Sequence, residues 1–308
     1  RDVDVDATPS QQVDAVLYFT LSADVTVTGQ SRFTNLADVP DPAANLVGIA
    51  QAASQGAITA RQLEARPLLR AGEVLETVPG VIVSQHSGEG KANQYYLRGF
   101  NLDHGTDFAT TVAGMPVNMP THAHGHGYTD LNFLIPELVS GVQYSKGPYY
   151  AEQGDFATAG AANINYANAL PQAIVRVTGG GFGYGRAVAA GSAERALGTW
   201  LGALELEHND GPWALEGNFR KANAVARYTR GTAASGFSVT GMFYRSTWNA
   251  TDQIPRRAVE GGLLGRFDNL DASNGGDTHR ASASVEWQRT RGSAATRVVG
   301  YGIRYGLD

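Results

Sequence analysis

Histidine is the residue type in this sequence whose spacing could do chemistry. Five of the seven histidines fall within one short stretch of the chain, namely His86, His104, His122, His124 and His126. The last three alternate with Ala and Gly, and alternate residues of an extended segment share one side, so their imidazoles could converge on one metal ion or metal chelate. The first two could add further contacts. A polar loop whose imidazoles bond to neighbouring backbone groups would have the same composition.

The composition limits which other functions the chain can have. It contains no cysteine, so it has no disulfide, no thiolate metal site and no cysteine nucleophile. A net charge of -5 argues against nucleic acid as a partner. No apolar run approaches the roughly 18 residues that a membrane-spanning helix requires, so we expect any part that enters a membrane to do so as strands.

Three regions are predicted from the changes in pattern along the chain. Residues 1–45 are acidic and then rich in Asp, Pro and Asn, which is typical of an extended leader. Residues 46–168 combine short helical stretches with short strands, and Thr59 and Gln62 have the spacing of a capping box. This second region is predicted to be an α+β domain.

Residues 169–308 have a different pattern, in which apolar and polar residues alternate over long segments. About seven such strands are predicted. A soluble β-sandwich would also alternate, but these segments exceed the usual ~5–6 residues of soluble strands and carry aromatic residues near their ends. Both features favour the strands of an outer-membrane barrel.

Four landmarks of the middle region occur in one order, and together they resemble the plug domain of TonB-dependent outer-membrane receptors. They are residues 71–83 (AGEVLETVPGVIV), 95–100 (YYLRGF), 112–117 (VAGMPV) and 146–154 (KGPYYAEQG), the last followed by 160–165 (GAANIN). The resemblance implies an α+β plug domain followed by antiparallel strands of a transmembrane β-barrel of about 22 strands. The residues after 166 would give about 6.5 per strand, against the ~9–11 that span lipid. We therefore expect a truncated chain that holds the plug and the first strands of the barrel.

The resemblance also implies roles for individual residues. It places Arg98 in the plug core against acidic partners, with Gly99 allowing a close backbone approach, and it makes Gly114 and Gly147 structural residues of the plug. A short segment resembles the family's TonB box, which adds a strand to a periplasmic energy-coupling protein. Its residues are Asp24, Val25, Thr26, Val27 and Thr28. An ordinary strand or linker would have the same pattern.

The function implied by this resemblance is active transport across the outer membrane, with no covalent catalysis. The expected partners are a TonB-type coupling protein, outer-membrane lipid and a small-molecule ligand, and no cofactor is expected beyond a metal or chelate bound as substrate. Siderophores, cobalamin, free metal and glycans all remain open as ligands. A soluble periplasmic metalloenzyme is the alternative, with the histidine cluster as its metal site and Glu89 or Asp130 as its base. A receptor-like signalling module is a third possibility.

Overall fold

The computed structural model describes residues 49–52, 54–85, 89–232, 234–292 and 294–308. The strands of the first part are β1 (Ile49–Ala52), β2 (Gln55–Thr59), β3 (Val81–Ser84), β4 (Gln94–Leu97), β5 (Phe100–Asn101), β6 (Phe108–Val112), β7 (Met115–Pro116), β8 (Val139–Ser145) and β9 (Gly160–Tyr166). The helix α1 (Ala60–Glu64) follows β2, and 3-10 turns occupy Ala71–Thr77, Pro136–Leu138 and Ala151–Gln153. None of the described helices has the length and apolar character needed to span a bilayer.

The first part is an α+β domain, as the sequence predicts. Six of its strands form one sheet in the order β1-β2-β8-β9-β6-β7, in which β6 and β9 run parallel, and β3-β4-β5 form a second small sheet. The predicted capping box starts α1, with Thr59 and Gln62 each bonding to the backbone of the other. The helix ends at Glu64, three residues before Pro67. Pro67 lacks the backbone N–H that would bond to the carbonyl of Leu63.

The second part is a sheet of seven antiparallel strands in chain order. They are β10 (Ile174–Gly179), β11 (Gly185–Arg195), β12 (Gly198–Asn209), β13 (Phe219–Gly231), β14 (Ser235–Asn249), β15 (Gly275–Arg291) and β16 (Ala294–Leu307). The helix α2 (Arg256–Glu260) lies between β14 and β15. The two ends of the sheet differ. Short turns join β11 to β12, β13 to β14 and β15 to β16 at the "short-turn end", whereas residues 210–218 and 250–274 form long connections at the "long-loop end".

The two faces of the seven-stranded sheet have opposite character. Leu204 and Leu206 on β12 are exposed on the outer face, whereas Glu205 between them is 1% exposed on the inner face. The same alternation exposes apolar residues on the outer face of the other strands, among them Val175, Val177, Trp200, Phe243, Val285, Trp287 and Val298. An apolar outer face with a polar interior is the arrangement of strands in a transmembrane barrel.

The α+β domain packs against the inner face of the seven-stranded sheet. Its own core is formed by buried side chains of the 3-10 turns and strands, including Val74, Leu75, Val78, Leu134, Ile135, Leu138, Val142 and Ile164. This core continues without a break into inner-face residues of the sheet, among them Val188, Leu201, Val225, Met242 and Tyr244. The domain therefore occupies the space that the sheet encloses, which we call the plug from here on.

Two hairpin turns of the plug need left-handed backbone, and one of them corrects an expectation. Arg98 and Gly99 join β4 to β5 with φ of 53° and 82°, while Ala113 and Gly114 join β6 to β7 with φ of 48° and 78°. Positive φ at both central residues is what a type I′ turn requires. Arg98 is exposed rather than in the plug core, and a Cβ on Gly99 would meet nothing within 4 Å. Arg98 and Gly99 therefore form a turn, whereas the expectation was a core position for Arg98 and a close backbone approach at Gly99.

Candidate functional site

Two loops of the plug meet beside β6 and carry the histidines. The first loop follows β5 and the second follows β7. Asn118 in the second loop joins them, since its side-chain amide donates to the carbonyl oxygens of Gly105 and Phe108 at 2.8 and 3.0 Å. Thr106 donates from its hydroxyl to the carbonyl of His126 at 2.7 Å. These bonds bring two segments about twenty residues apart into one surface.

This surface lies at the long-loop end. The ring of His122 is 6.0 Å, between centroids, from the ring of Tyr305 near the end of β16. Lys91 of the plug lies 3.8 Å from a carboxylate oxygen of Asp252, which belongs to the long connection after β14. In outer-membrane barrels the longer connections are extracellular and the short turns are periplasmic. The histidine loops therefore lie at the end of the sheet that carries the longer connections.

His104 and His124 form the closest pair in the site. Their Nε2 atoms are 2.7 Å apart, and the rings meet edge to face with centroids 4.3 Å apart. His104 is 3% exposed, and its Nδ1 lies 3.0 Å from the carbonyl oxygens of both Ala92 and Asn93. Two acceptors at Nδ1 require a proton there, so His104 presents its Nε2 to His124.

His122 is held by a different set of contacts. Its ring stacks on the ring of Tyr128, with centroids 3.9 Å apart and planes within 6° of parallel. The backbone N–H of His124 donates to its Nδ1 at 3.1 Å. Burial lowers the pKa of His122 below its usual value, and the charge of the neighbouring His124 lowers it further. The ring of His122 therefore stabilises the loop through its stacking on Tyr128 and the hydrogen bond at its Nδ1.

The structure separates the members of the alternating triplet. The Nδ1 of His126 lies 2.8 Å from the carbonyl oxygen of Pro120, so its ring is turned toward its own loop. Among the described residues, the ligand atoms that come within 4.8 Å of one another are those of Asp103, His104 and His124. His86 and residues 24–28 lie outside the described part of the chain. His124 of the predicted triplet thus lies in one group with Asp103 and His104 of the first loop.

The two carboxylates considered as catalytic bases lie apart from this group. Asp130 is 4% exposed and accepts a bond from the backbone of Asn132, and burial raises its pKa to about 6. Burial also raises the pKa of Glu89, which accepts a bond from Asn209 of the sheet. Within the described ranges neither joins the group of metal-ligating atoms around His124.

A buried ionic network that the sequence analysis did not predict attaches the plug to the sheet. Glu137 of the plug pairs in bidentate fashion with Arg186 of β11, at 2.6 and 2.9 Å. The Nε of Arg186 donates to Glu205 at 2.6 Å, and Lys221 lies between Glu205 and Glu207. Burial by itself would raise the pKa of Glu137, but the bonds and charge of Arg186 hold it below its usual value. The sequence feature that could have indicated this network is the presence of charged residues at inner-face positions of β11, β12 and β13.

Comparison with known proteins agrees with this architecture. Residues 48–161 match the sequence model of the family described as TonB-dependent Receptor Plug Domain. That range covers the plug from β1 to the start of β9.

Solved structures match both parts of the chain. The siderophore receptor PiuA from Acinetobacter baumannii has a TM-score of 0.62 at 13% identity over 89% of this chain and 40% of its own. The siderophore receptor PirA from the same species has a TM-score of 0.58 at 15% identity, over 83% and 40%. A ferric enterobactin receptor (PfeA) variant from Pseudomonas aeruginosa gives 0.56 at 16% identity, over 82% and 40%. The chain thus spans about 40% of the length of the receptors it matches.

These observations define a class of protein: a plug domain seated on the inner face of antiparallel barrel strands. The sequence match of the plug makes the assignment more specific. Residues 48–161 match the plug domain of TonB-dependent receptors, and the strands that follow have the fold of the barrel strands in the matched receptors. The recognition made from the four sequence landmarks, and the fold class inferred from them, are confirmed.

Proposed function

We propose that the chain is part of an outer-membrane transporter that takes up a scarce small ligand and catalyses no covalent reaction. The observation that carries this proposal is the plug itself, which fills the inner face of a sheet whose outer face is apolar. A pore that is closed by its own domain conducts only when that domain moves. Directed uptake against a gradient therefore needs an energy source, and the receptor family implies a TonB-type protein on the periplasmic side.

The coupling segment in this proposal is residues 24–28, which precede the described plug. An extended segment can add a strand to an exposed sheet edge of the coupling protein, because backbone groups alone supply the bonds. Tension on this segment would act on the plug, which the pair of Glu137 and Arg186 attaches to β11. Release of the plug from the sheet is then the step that opens a path.

The ligand of this proposal is a metal chelate of the siderophore type or a comparable metal-containing compound. The similar structures named above are receptors for such compounds by their own descriptions. In this chain the plug surface at the long-loop end carries His104, His122 and His124, whereas the ring of His126 is turned toward its own loop. Imidazole nitrogens bind metal ions and donate to oxygen-rich ligands, which supports contact between this surface and the cargo.

Whole-cell uptake tests the proposal. Cells expressing the full-length receptor would be given a labelled ferric catecholate, labelled cobalamin or 65Zn2+, in strains with and without the coupling protein. We expect accumulation of at least one compound that requires both receptor and coupling protein. Val25→Pro and Thr26→Pro each remove a backbone donor, and at least one should abolish uptake, since alternate residues face the partner strand.

Leu36→Pro is the matched control, because it places a proline outside the proposed coupling segment. It should keep uptake at the wild-type level. Equal accumulation in cells that lack the coupling protein, or recovery of the receptor in the soluble periplasm without detergent, would contradict the proposal.

A further inference from the structure

We propose that Asp103, His104 and His124 form a binding site for a late first-row divalent metal ion such as Zn2+. The proposal rests on the transport function above and specifies its cargo: the metal centre itself is bound by the plug. The ligand atoms of the three residues lie within 4.8 Å of one another at the long-loop end. Two imidazoles and one carboxylate are a donor set that Zn2+ and its neighbours prefer.

The backbone contacts of His104 orient it for a metal. Its Nδ1 donates to the carbonyls of Ala92 and Asn93, both at 3.0 Å, so the lone pair of the neutral ring is at Nε2. Metal-ligating histidines are characteristically oriented in this way, by a backbone acceptor at the opposite ring nitrogen. Because His104 is almost completely buried, the direction of this lone pair is fixed by the fold.

The distance between the imidazoles of His104 and His124 is the one expected when no metal is bound. Their Nε2 atoms are 2.7 Å apart, which is the separation of a hydrogen-bonded pair with one proton between them. Two nitrogens bound to one tetrahedral Zn2+ at about 2.0–2.1 Å would be about 3.3 Å apart. His124 is exposed, so its side chain has room to turn and move until both Nε2 atoms point at an ion in place of the proton.

Asp103 supplies negative charge on the open side. One of its carboxylate oxygens is 3.8 Å from the Nε2 of His104. Its backbone has φ of 50°, a conformation that turns the residue out of the extended chain. The other carboxylate oxygen lies over Gly125, where a Cβ would be 3.4 Å away. The carboxylate thus reaches across from the first loop to the second, and it would offset part of the charge of a bound cation.

Three protein ligands at an exposed surface leave further coordination positions open. Structural zinc sites are closed by four protein ligands, whereas sites that exchange a ligand keep a position free. An open site suits a transporter, because the ion has to leave again. In either case the site binds a divalent ion that has free coordination positions. The ion arrives either as the aqueous ion or in a chelate that leaves coordination positions open.

Titration calorimetry on the full-length receptor in detergent tests the site, with ZnCl2 as the probe. We expect one ion to bind to the wild type. His124→Ala removes an exposed ligand and should weaken binding by at least about 10- to 100-fold, the loss seen when even an outer-shell partner of a metal is removed. Asp103→Asn keeps the shape and tolerates positive φ, so it should weaken binding through charge and coordination alone.

His126→Ala is the matched control, since its ring belongs to the same loop but bonds to Pro120. It should bind Zn2+ like the wild type. Wild-type affinity in His124→Ala, or an equal loss in His126→Ala, would overturn the site. X-ray absorption of the Zn2+ complex should show two imidazole ligands in the wild type and one in His124→Ala.

A second arm identifies the source of the ion, with Ni2+–nitrilotriacetate as a chelate that leaves two positions free. Binding of the chelate that depends on His124 supports a chelated cargo, and binding of Zn2+ alone supports the aqueous ion. If neither probe binds, the site is rejected. Since binding in detergent needs no coupling protein, that result would leave the test of energy-dependent uptake unaffected.

Discussion

Glu137 of the plug accepts two hydrogen bonds from Arg186 of β11, at 2.6 and 2.9 Å, and the carboxylate is 6% exposed. This pair joins the plug to the strand β11 of the seven-stranded sheet. Arg186 also bonds to Glu205, so the guanidinium lies between a plug carboxylate and a barrel carboxylate. In the proposed transport, release of the plug would have to separate these charges.

Glu137→Gln should loosen the attachment of the plug. The substitution removes the charge of one partner in a buried pair, so we expect the free energy of unfolding to fall by about 3 kcal/mol. This is the lower end of the range for broken buried pairs, because Arg186 still pairs with Glu205. Thermal unfolding in detergent and the sensitivity of cells to a bulky hydrophilic antibiotic measure the effect. Asp277→Asn breaks an exposed pair with Arg245 and should change neither. Equal effects of both variants would count against the interpretation.

Stability should depend on pH through Asp130. Burial raises the pKa of its carboxyl from 3.8 to about 6, so the folded protein keeps this proton to higher pH than the unfolded chain. The contribution is full below about pH 4 and is lost as the pH rises through about 6. The shift corresponds to at most about 3 kcal/mol. The groups whose charges act on this carboxyl include Arg280 and Lys221, and Asn132 donates to it.

Asp130→Asn removes this titration while retaining an acceptor for Asn132. The variant should be more stable than the wild type at pH 7 and similar to it at pH 4. Unfolding midpoints of both proteins in detergent between pH 4 and 8 measure the difference. If the two curves run parallel across this range, Asp130 is not the group that titrates.

The turn of Arg98 and Gly99 gives a prediction about conformation alone. Gly99 has φ of 82°, and a Cβ there would meet no atom within 4 Å. Gly99→Ala should therefore cost about 1–2 kcal/mol of unfolding free energy from backbone strain, without any steric clash. Gly99→Asn should recover part of that loss, because Asn tolerates left-handed backbone. Equal unfolding midpoints for the Ala variant and the wild type would show that the turn carries no such strain.

The sequence by itself determined the elements of this fold, because their signals are local. Alternation of apolar and polar residues has a period of two, and it puts Leu204 and Glu205 on opposite faces of β12, as the structure shows. The plug was recognised from four short landmarks whose order the family match confirms.

The sequence was less informative about the position of Arg98. An arginine beside a glycine was assigned to the core from the resemblance to a family, whereas the backbone conformation of the hairpin turns it to the surface. Turn geometry depends on how β4 and β5 pair, and the register of the pair is set by their packing.

Only the tertiary structure decided which chemical groups meet. His104 and His124 are twenty residues apart, and Asn118 brings their loops together. His126 is next but one to His124, yet it bonds to Pro120 instead. The pairing of Glu137 with Arg186 likewise joins the plug to the sheet. Period and turn type follow from neighbouring residues, but contacts between distant side chains depend on how complete elements pack, so they become visible only in the folded chain.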